Sequence, residues 1–186
     1  MRRLTTLIRT LSWACAAALL LVGPGSAADD LLSGLYAELA DPENSSWQRT
    51  EADILREWSK SGSPAMDLLL KRGQAAMEAG DLEAAVEHFT ALTDHAPDFA
   101  EGWNARATAY FLMGQFGPSV ADIQRTLALN DHHFGALTGL GIILEQLGRD
   151  ASAREVYAAS LAIHPHQEAI KEALERLELK LSGTEL

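Results

Sequence analysis

A shift of 34 residues brings this chain into register with itself, and no other feature restricts its fold so tightly. Gly73, Ala107 and Gly141 coincide, as do Gly80, Gly114 and Gly148. Ala85, Ser119 and Ala153 align, and so do the larger residues Phe89, Ile123 and Tyr157. Leu82 matches Phe116, with Asp150 in the third copy. Pro97 and Pro165 close the first and third copies, and Asp131 takes that place in the second. The copies therefore run 66–99, 100–133 and 134–167. A period of this size marks a stacked repeat. Each copy carries two amphipathic stretches at helical spacing. Small residues recur where two helices must approach closely. Gly80, Gly114 and Gly148 fall where the first helix of each copy should end in a left-handed residue. Asp81 and Asp150 then read as caps of second helices. Asp98 with Glu101 reads as a capping box, and Ser63-Pro64 opens the first copy. Pro118 suits the first turn of its helix. No copy can bury its apolar face alone, so the copies must stack.

The spacing resembles that of the tetratricopeptide-repeat (TPR) family, in which a large residue, Leu-Gly, Tyr, Gly, Ala, an aromatic and Pro recur within 34 residues. The second copy reads Trp103, Ala107, Tyr110, Gly114 and Phe116. The third reads Leu140-Gly141, Gly148, Ala153, Tyr157 and Pro165. Arg72 and Arg106 depart from the pattern's Leu, and Leu69 and Leu137 from its large aromatic. The resemblance covers residues 66–167. It implies an all-α helical-hairpin solenoid of three repeats, with the first helix of each copy lining a concave groove that binds a partner. Carried over by register, the lining is Leu70, Gln74, Met77 and Glu78 from the first copy. The second supplies Asn104, Thr108, Phe111 and Leu112, and the third Thr138, Ile142, Glu145 and Gln146. Phe111 and Leu112 are the expected anchors; burial against a neighbour is their alternative. Some family members clamp a chaperone's C-terminal carboxylate with Lys, Asn and Arg. Here Leu70 and Gln74 stand at the first two clamp positions, with no Lys or Arg at the later ones.

Both flanks read as helical. Residues 168–186 carry a capping helix and tail, with Ala169, Ile170, Ala173, Leu174, Leu177 and Leu181 as its apolar stripe. Residues 29–65 hold two helices, about 30–40 and 46–61, broken at Asp41-Pro42. Leu31, Leu35 and Leu39 face one way, and Ile54, Leu55 and Trp58 do the same. The expectation is a divergent pair stacked on the first repeat; the alternative is a separate arm.

Residues 1–28 have the order of a secretory signal. Arg2, Arg3 and Arg9 give a positive start, 11–22 is apolar, and Gly23, Pro24 and Gly25 precede the small residues Ser26, Ala27 and Ala28. Cleavage is expected after Ala28. The apolar run is shorter than the roughly 20 residues that span a bilayer. The expected location is a bacterial periplasm; an uncleaved inner-membrane anchor is the alternative. Removing the segment takes three arginines and no acid, so the net charge moves from -11 to −14. It also removes Cys15, the only cysteine, leaving neither disulfide nor thiol chemistry. An acidic chain is a poor match to nucleic acid or anionic lipid.

No catalytic, metal or cofactor site is expected. Of the six histidines, His95, His132, His133, His164 and His166 lie near the ends of second helices or in the turns between copies. Repetition could align them along one edge, but metal-ligand spacing is lacking. Carboxylates read as a solvated face, and serines lack a nucleophile elbow. Arg106 is expected to pair with Asp122 inside the second copy, and Trp103 to pack in its core. The sequence thus predicts a non-catalytic protein-binding scaffold. Its partner is another protein or peptide segment, basic and with an apolar stretch. Self-assembly into a homo-oligomer is the alternative.

Overall fold

A computed structural model describes residues 27–183, so the expected leader falls outside the described residues except at its end. Those residues form a run of α-helices with no strand. An N-terminal pair, α1 (Ala27–Leu39) and α2 (Trp47–Trp58), precedes the repeats. The three hairpins are α3 (Pro64–Glu78) with α4 (Leu82–His95), α5 (Ala100–Leu112) with α6 (Phe116–Leu129), and α7 (Phe134–Gln146) with α8 (Asp150–Ile163). The chain closes with α9 (Glu168–Leu181).

Each hairpin turns in the same way. Gly80, Gly114 and Gly148 have φ of 78°, 71° and 69°, a region costly for any residue with a Cβ. After Gly80 the Asp81 N–H bonds the Ala76 carbonyl, and the Gly80 N–H bonds that of Met77. The same pair of bonds recurs from Gln115 to Tyr110 with Gly114 to Phe111, and from Arg149 to Leu144 with Gly148 to Glu145. These bonds satisfy carbonyls that the end of the first helix would leave open. Asp81 then caps α4 by accepting from the Ala84 N–H at 3.0 Å.

Other expected caps are not made. Asp150 is the first residue of α8, one place past the cap, and its Oδ2 instead meets Lys180 Nζ at 2.6 Å. The capping box at α5 is absent because the cap position falls on Phe99. Asp98 lies out toward Arg125 at 3.3 Å, and Glu101 turns to His133 at 3.1 Å.

Packing follows the repeat. Leu70, Phe89, Leu92, Ala105 and Ala109 bind the first copy to the second. Ala107, Ile123, Ala136 and Ile143 bind the second to the third. Leu144, Tyr157, Ile170, Ala173 and Leu177 bind the third to α9. Leu181, expected on the same stripe of α9, is exposed. Within a hairpin the helices meet through a small residue opposite a large one. A Cβ on Gly73 would overlap the Phe89 ring, and one on Gly141 the Tyr157 ring. In the second copy the corresponding pair is Ala107 and the slimmer Ile123, both buried.

The N-terminal pair is not stacked on the first repeat. Leu39, Ile54 and Trp58 pack against Phe134 and Ile163, at the turns that follow α6 and α8. Those turns offer flat ring surfaces: Trp58 lies 4.3 Å from His133 and Trp47 5.2 Å from His166, both stacked. Leu31 and Leu55, expected on the buried faces of the pair, are exposed. The tether into α3 is fixed by Asp67, whose Oδ1 accepts from the Ser61 N–H and hydroxyl. Those bonds hold the Asp67 carboxyl below its ordinary pKa.

The small–large pairing gives a test. Gly73→Ala should cost about 1–3 kcal/mol by forcing the Phe89 ring to move. Adding Phe89→Ile recreates the pair that the second copy uses and should recover most of the loss. Urea denaturation of both variants checks this; equal stability of the single and double variants would contradict it.

Candidate functional site: the concave groove

The first helices α3, α5 and α7 run side by side, and the groove lies along them. Its deepest part is a cavity of about 220 Å³ between α5 and α7. Ala107, Phe111, Ser119, Ile123, Ala136, Ile142 and Ile143 line it, with Asn104, Thr108, Thr138, Gly135 and Gly139. No residue of α1 or α2 is in this lining, because the N-terminal pair sits on the turns instead. Gly139 leaves the wall open: a Cβ there would meet only Ile123 Cδ1, at 3.7 Å. The surface continues through Ile142 into a shallower cavity of about 520 Å³ between α7 and α9, lined by Glu145, Gln146, Tyr157, Ala169, Ile170, Ala173 and Arg176.

Of the residues expected to line the groove, Asn104, Thr108, Phe111, Thr138 and Ile142 come together in the deep cavity. Glu145 and Gln146 border the shallow one. Leu70 does not line the groove: it is 2% exposed, sunk among Phe89, Leu92, Ala105 and Ala109. The small side chains of Ala105 and Ala109 open a hole that an apolar residue at this register fills. Gln74 and Met77 are half-buried beside the first copy and outside both cavities, with Met77 packed on the core. Leu112 is 55% exposed and stands outside the cavity that Phe111 lines. Phe111 itself is half-buried, 5.9 Å from the Phe116 ring.

Arg176 was not among the expected residues, although a further shift of 34 from Ile142 reaches it. That register makes α9 a fourth lining helix as well as a cap. Arg176 Nη2 donates to Glu145 Oε1 at 2.6 Å, and the Tyr157 hydroxyl donates to Glu145 Oε2 at 3.1 Å. Burial, and after it Glu145, pushes the Tyr157 phenol well above its ordinary pKa, so it stays a donor. The polar groups of the deep cavity are also occupied. Thr108 Oγ1 donates to the Asn104 carbonyl, and Thr138 Oγ1 to Gln167 Oε1, each at 3.0 Å. What the groove offers a partner is therefore shape and apolar surface.

The position of α5 is fixed from behind. Arg106 Nε and Nη2 bond the two carboxylate oxygens of Asp122 at 2.7 and 2.9 Å, and Nη1 bonds Thr90 and Thr93. The pair is largely withdrawn from water, with side chains 13% and 7% exposed. It joins α4, α5 and α6, and the hydrogen bond to Asp122 raises the Arg106 pKa further. Trp103 is half-buried rather than in the core: its Nε1 donates to the Pro97 carbonyl and its ring lies under Arg106. Among the described residues no three His, Cys, Asp or Glu side chains are grouped to hold a metal ion. None of the described helices is long and apolar enough to cross a membrane.

The family model of the tetratricopeptide repeat matches residues 70–116 and 113–168. A TPR repeat-containing protein of Rhizobium etli is 35% identical over 160 residues, which cover 86% of this chain and 77% of that protein. The chain belongs to the tetratricopeptide-repeat family. Among solved structures, the first TPR domain of Spaghetti (RPAP3), bound to an HSP90 peptide, superposes with a TM-score of 0.60. That match has 22% identity over 63% of this chain and 93% of that one. The Yersinia enterocolitica type III secretion chaperone SycD, in complex with a peptide of the translocator YopD, gives a TM-score of 0.61. It has 16% identity over 63% of this chain and 95% of that one. At such identities the likeness is one of fold.

The ion pair behind α5 yields an expectation. Arg106→Leu strands the Asp122 carboxylate and should cost about 3–5 kcal/mol. Replacing both residues by Leu should recover much of that, because no charge is then left buried. Thermal and urea unfolding of the two variants measure the difference.

Proposed function

We propose that this protein is a non-catalytic scaffold that holds an apolar stretch of another protein across α5, α7 and α9. The observation that carries the reading is the open, apolar-floored cavity between α5 and α7, continuous with the shallower one on α9. At about 220 Å³ the deep part is below the range of about 300–1,000 Å³ typical of small-molecule pockets. It suits one or two anchoring side chains of a peptide laid along the groove. That two proteins of the same fold are bound to peptides supports a protein segment as the partner. Anchoring here is apolar, since Leu70 and Gln74 replace the first clamp residues. An acidic protein favours a partner with basic residues flanking its apolar stretch, chiefly by speeding encounter. The leader-like order of residues 1–28 supports export and a periplasmic site of action.

Gly139 provides the test. Gly139→Leu fills the cavity without removing a packed side chain, and replacing a helical glycine should not lower stability. A photo-crosslinking residue at the exposed Thr108 position of tagged protein should trap a partner in living cells. The same trap in the Gly139→Leu background should lose it. Undiminished trapping with an intact fold would refute the groove, and recovery of this chain alone would favour self-assembly.

A further inference from the structure

Four of the six histidines lie in the turns that follow α6 and α8, and all four meet the N-terminal pair. His132 stacks on Tyr36 with 4.6 Å between ring centroids, His133 on Trp58 and His166 on Trp47. His166 Nε2 donates to the Asp41 carbonyl at 3.0 Å. His164 is the member enclosed on all sides, 2% exposed. It is wedged between the Trp47 ring at 5.5 Å and Phe134, whose ring it meets edge-on at 4.9 Å. Its Nε2 lies 3.5 Å from Glu51 Oε1, and its buried Nδ1 has no hydrogen-bond partner. A neutral imidazole can leave that nitrogen as a bare lone pair. An imidazolium must carry an N–H there, with nothing to accept it.

We propose that the N-terminal helix pair is a pH-released clasp: protonation of His164 undocks α1 and α2 from the turns of the second and third copies.

The groups facing His164 fix the sign. Burial is the largest influence and lowers the ring's affinity for a proton below its ordinary pKa of 6.5. Glu51 on α2 acts against this, and His166, 6.0 Å away, acts with it. Trp47 and Phe134 carry no charge. The docked state therefore binds fewer protons than the undocked one. Docking is at full strength above about pH 6.5 and weakens as the pH falls from there through the depressed value. The loss is about tenfold for each pH unit in that window. The stacks of His132 and His166 tolerate charge, because a cation is attracted to an aromatic face and Asp131 lies 2.7 Å from His132. His133 is tied differently: its Nδ1 accepts from the Ala136 N–H at the start of α7, while Nε2 faces Glu101. His164 is the histidine of the seam whose second ring nitrogen is buried without an acceptor.

Amide hydrogen exchange, read by mass spectrometry on the purified protein, tests the clasp. It is measured at about pH 7.5 and about pH 5.5, on either side of the ordinary histidine value, and corrected for intrinsic rates. Opening of α1 and α2 should increase by up to about tenfold at the lower pH, while α5 to α8 keep their protection. Glu51→Gln removes the carboxylate that favours the charged ring, so the release below about pH 6.5 should be larger than in the parent. His164→Leu should leave the opening of α1 and α2 independent of pH. Protection of α1 and α2 that ignores pH, or that falls together with α5 to α8, overturns the clasp. So does a smaller release in Glu51→Gln than in the parent. Should His164→Leu fail to dock, the parent and Glu51→Gln profiles decide between the same outcomes.

Discussion

The distance between the two helices of each hairpin is set by one small residue facing one large one, and the groove inherits its shape from that contact. In the first and third copies a glycine lies against an aromatic ring, Gly73 under Phe89 and Gly141 under Tyr157. The ring fills the space between the helices. In the second copy the pair is Ala107 with Ile123, and both residues line the deep cavity. An isoleucine reaches less far than a ring, and a methyl group replaces a hydrogen opposite it. The floor is consequently lower at the one place where the pairing changes. A close-packed interior has little freedom to absorb such a change elsewhere. The cavity is thus a product of one substituted contact inside an otherwise regular stack.

The same regularity explains which parts of the molecule were legible in the sequence. Hairpin ends were readable because a left-handed turn requires glycine, and Gly80, Gly114 and Gly148 recur in register. Asn104, Thr108, Phe111, Thr138 and Ile142 followed from carrying one lining position through successive helices. Leu70 failed because the same register position holds an apolar side chain beside Ala105 and Ala109, and burial there outweighs exposure in the groove. Arg176 was obscured because the polar face of α9 read as a solvated cap, although the 34-residue shift continues into it. The seat of the N-terminal pair had no register to reveal it. It is made by ring contacts and by the bond between His166 and Asp41, 125 residues apart. The expected caps failed because α5 and α8 begin so that Phe99 and Arg149 hold the cap positions, leaving Glu101 and Asp150 to more distant partners.

The carboxylates in and around the groove are engaged internally. Glu145 is paired with Arg176 and bonded by Tyr157, Asp122 is paired with Arg106, and Glu101 is hydrogen-bonded by His133. The net charge of -11 therefore acts on a partner from the wider surface and at longer range. Such a field accelerates encounter and weakens as salt is added. In the proposed function, residence in the groove depends on how well apolar side chains fit its floor, a contribution that salt screening does not reach. Under that reading, affinity and association rate belong to different parts of the molecule.

The first turn of α7 connects those parts to the N-terminal pair. His133 caps that turn through Nδ1 while its ring stacks on Trp58, and Phe134 packs into the same seam. The next two residues, Gly135 and Ala136, line the deep cavity. One short segment thus presents consecutive residues to the clasp and to the groove. A helix start that loses its cap also loses about 0.5–2 kcal/mol and frays inward. Fraying here would move the cavity wall before it disturbed Ile142 or Ile143, two turns further along α7. Loss of the His133 cap itself would therefore reach the groove through covalent neighbours, with no need for a change elsewhere in the solenoid.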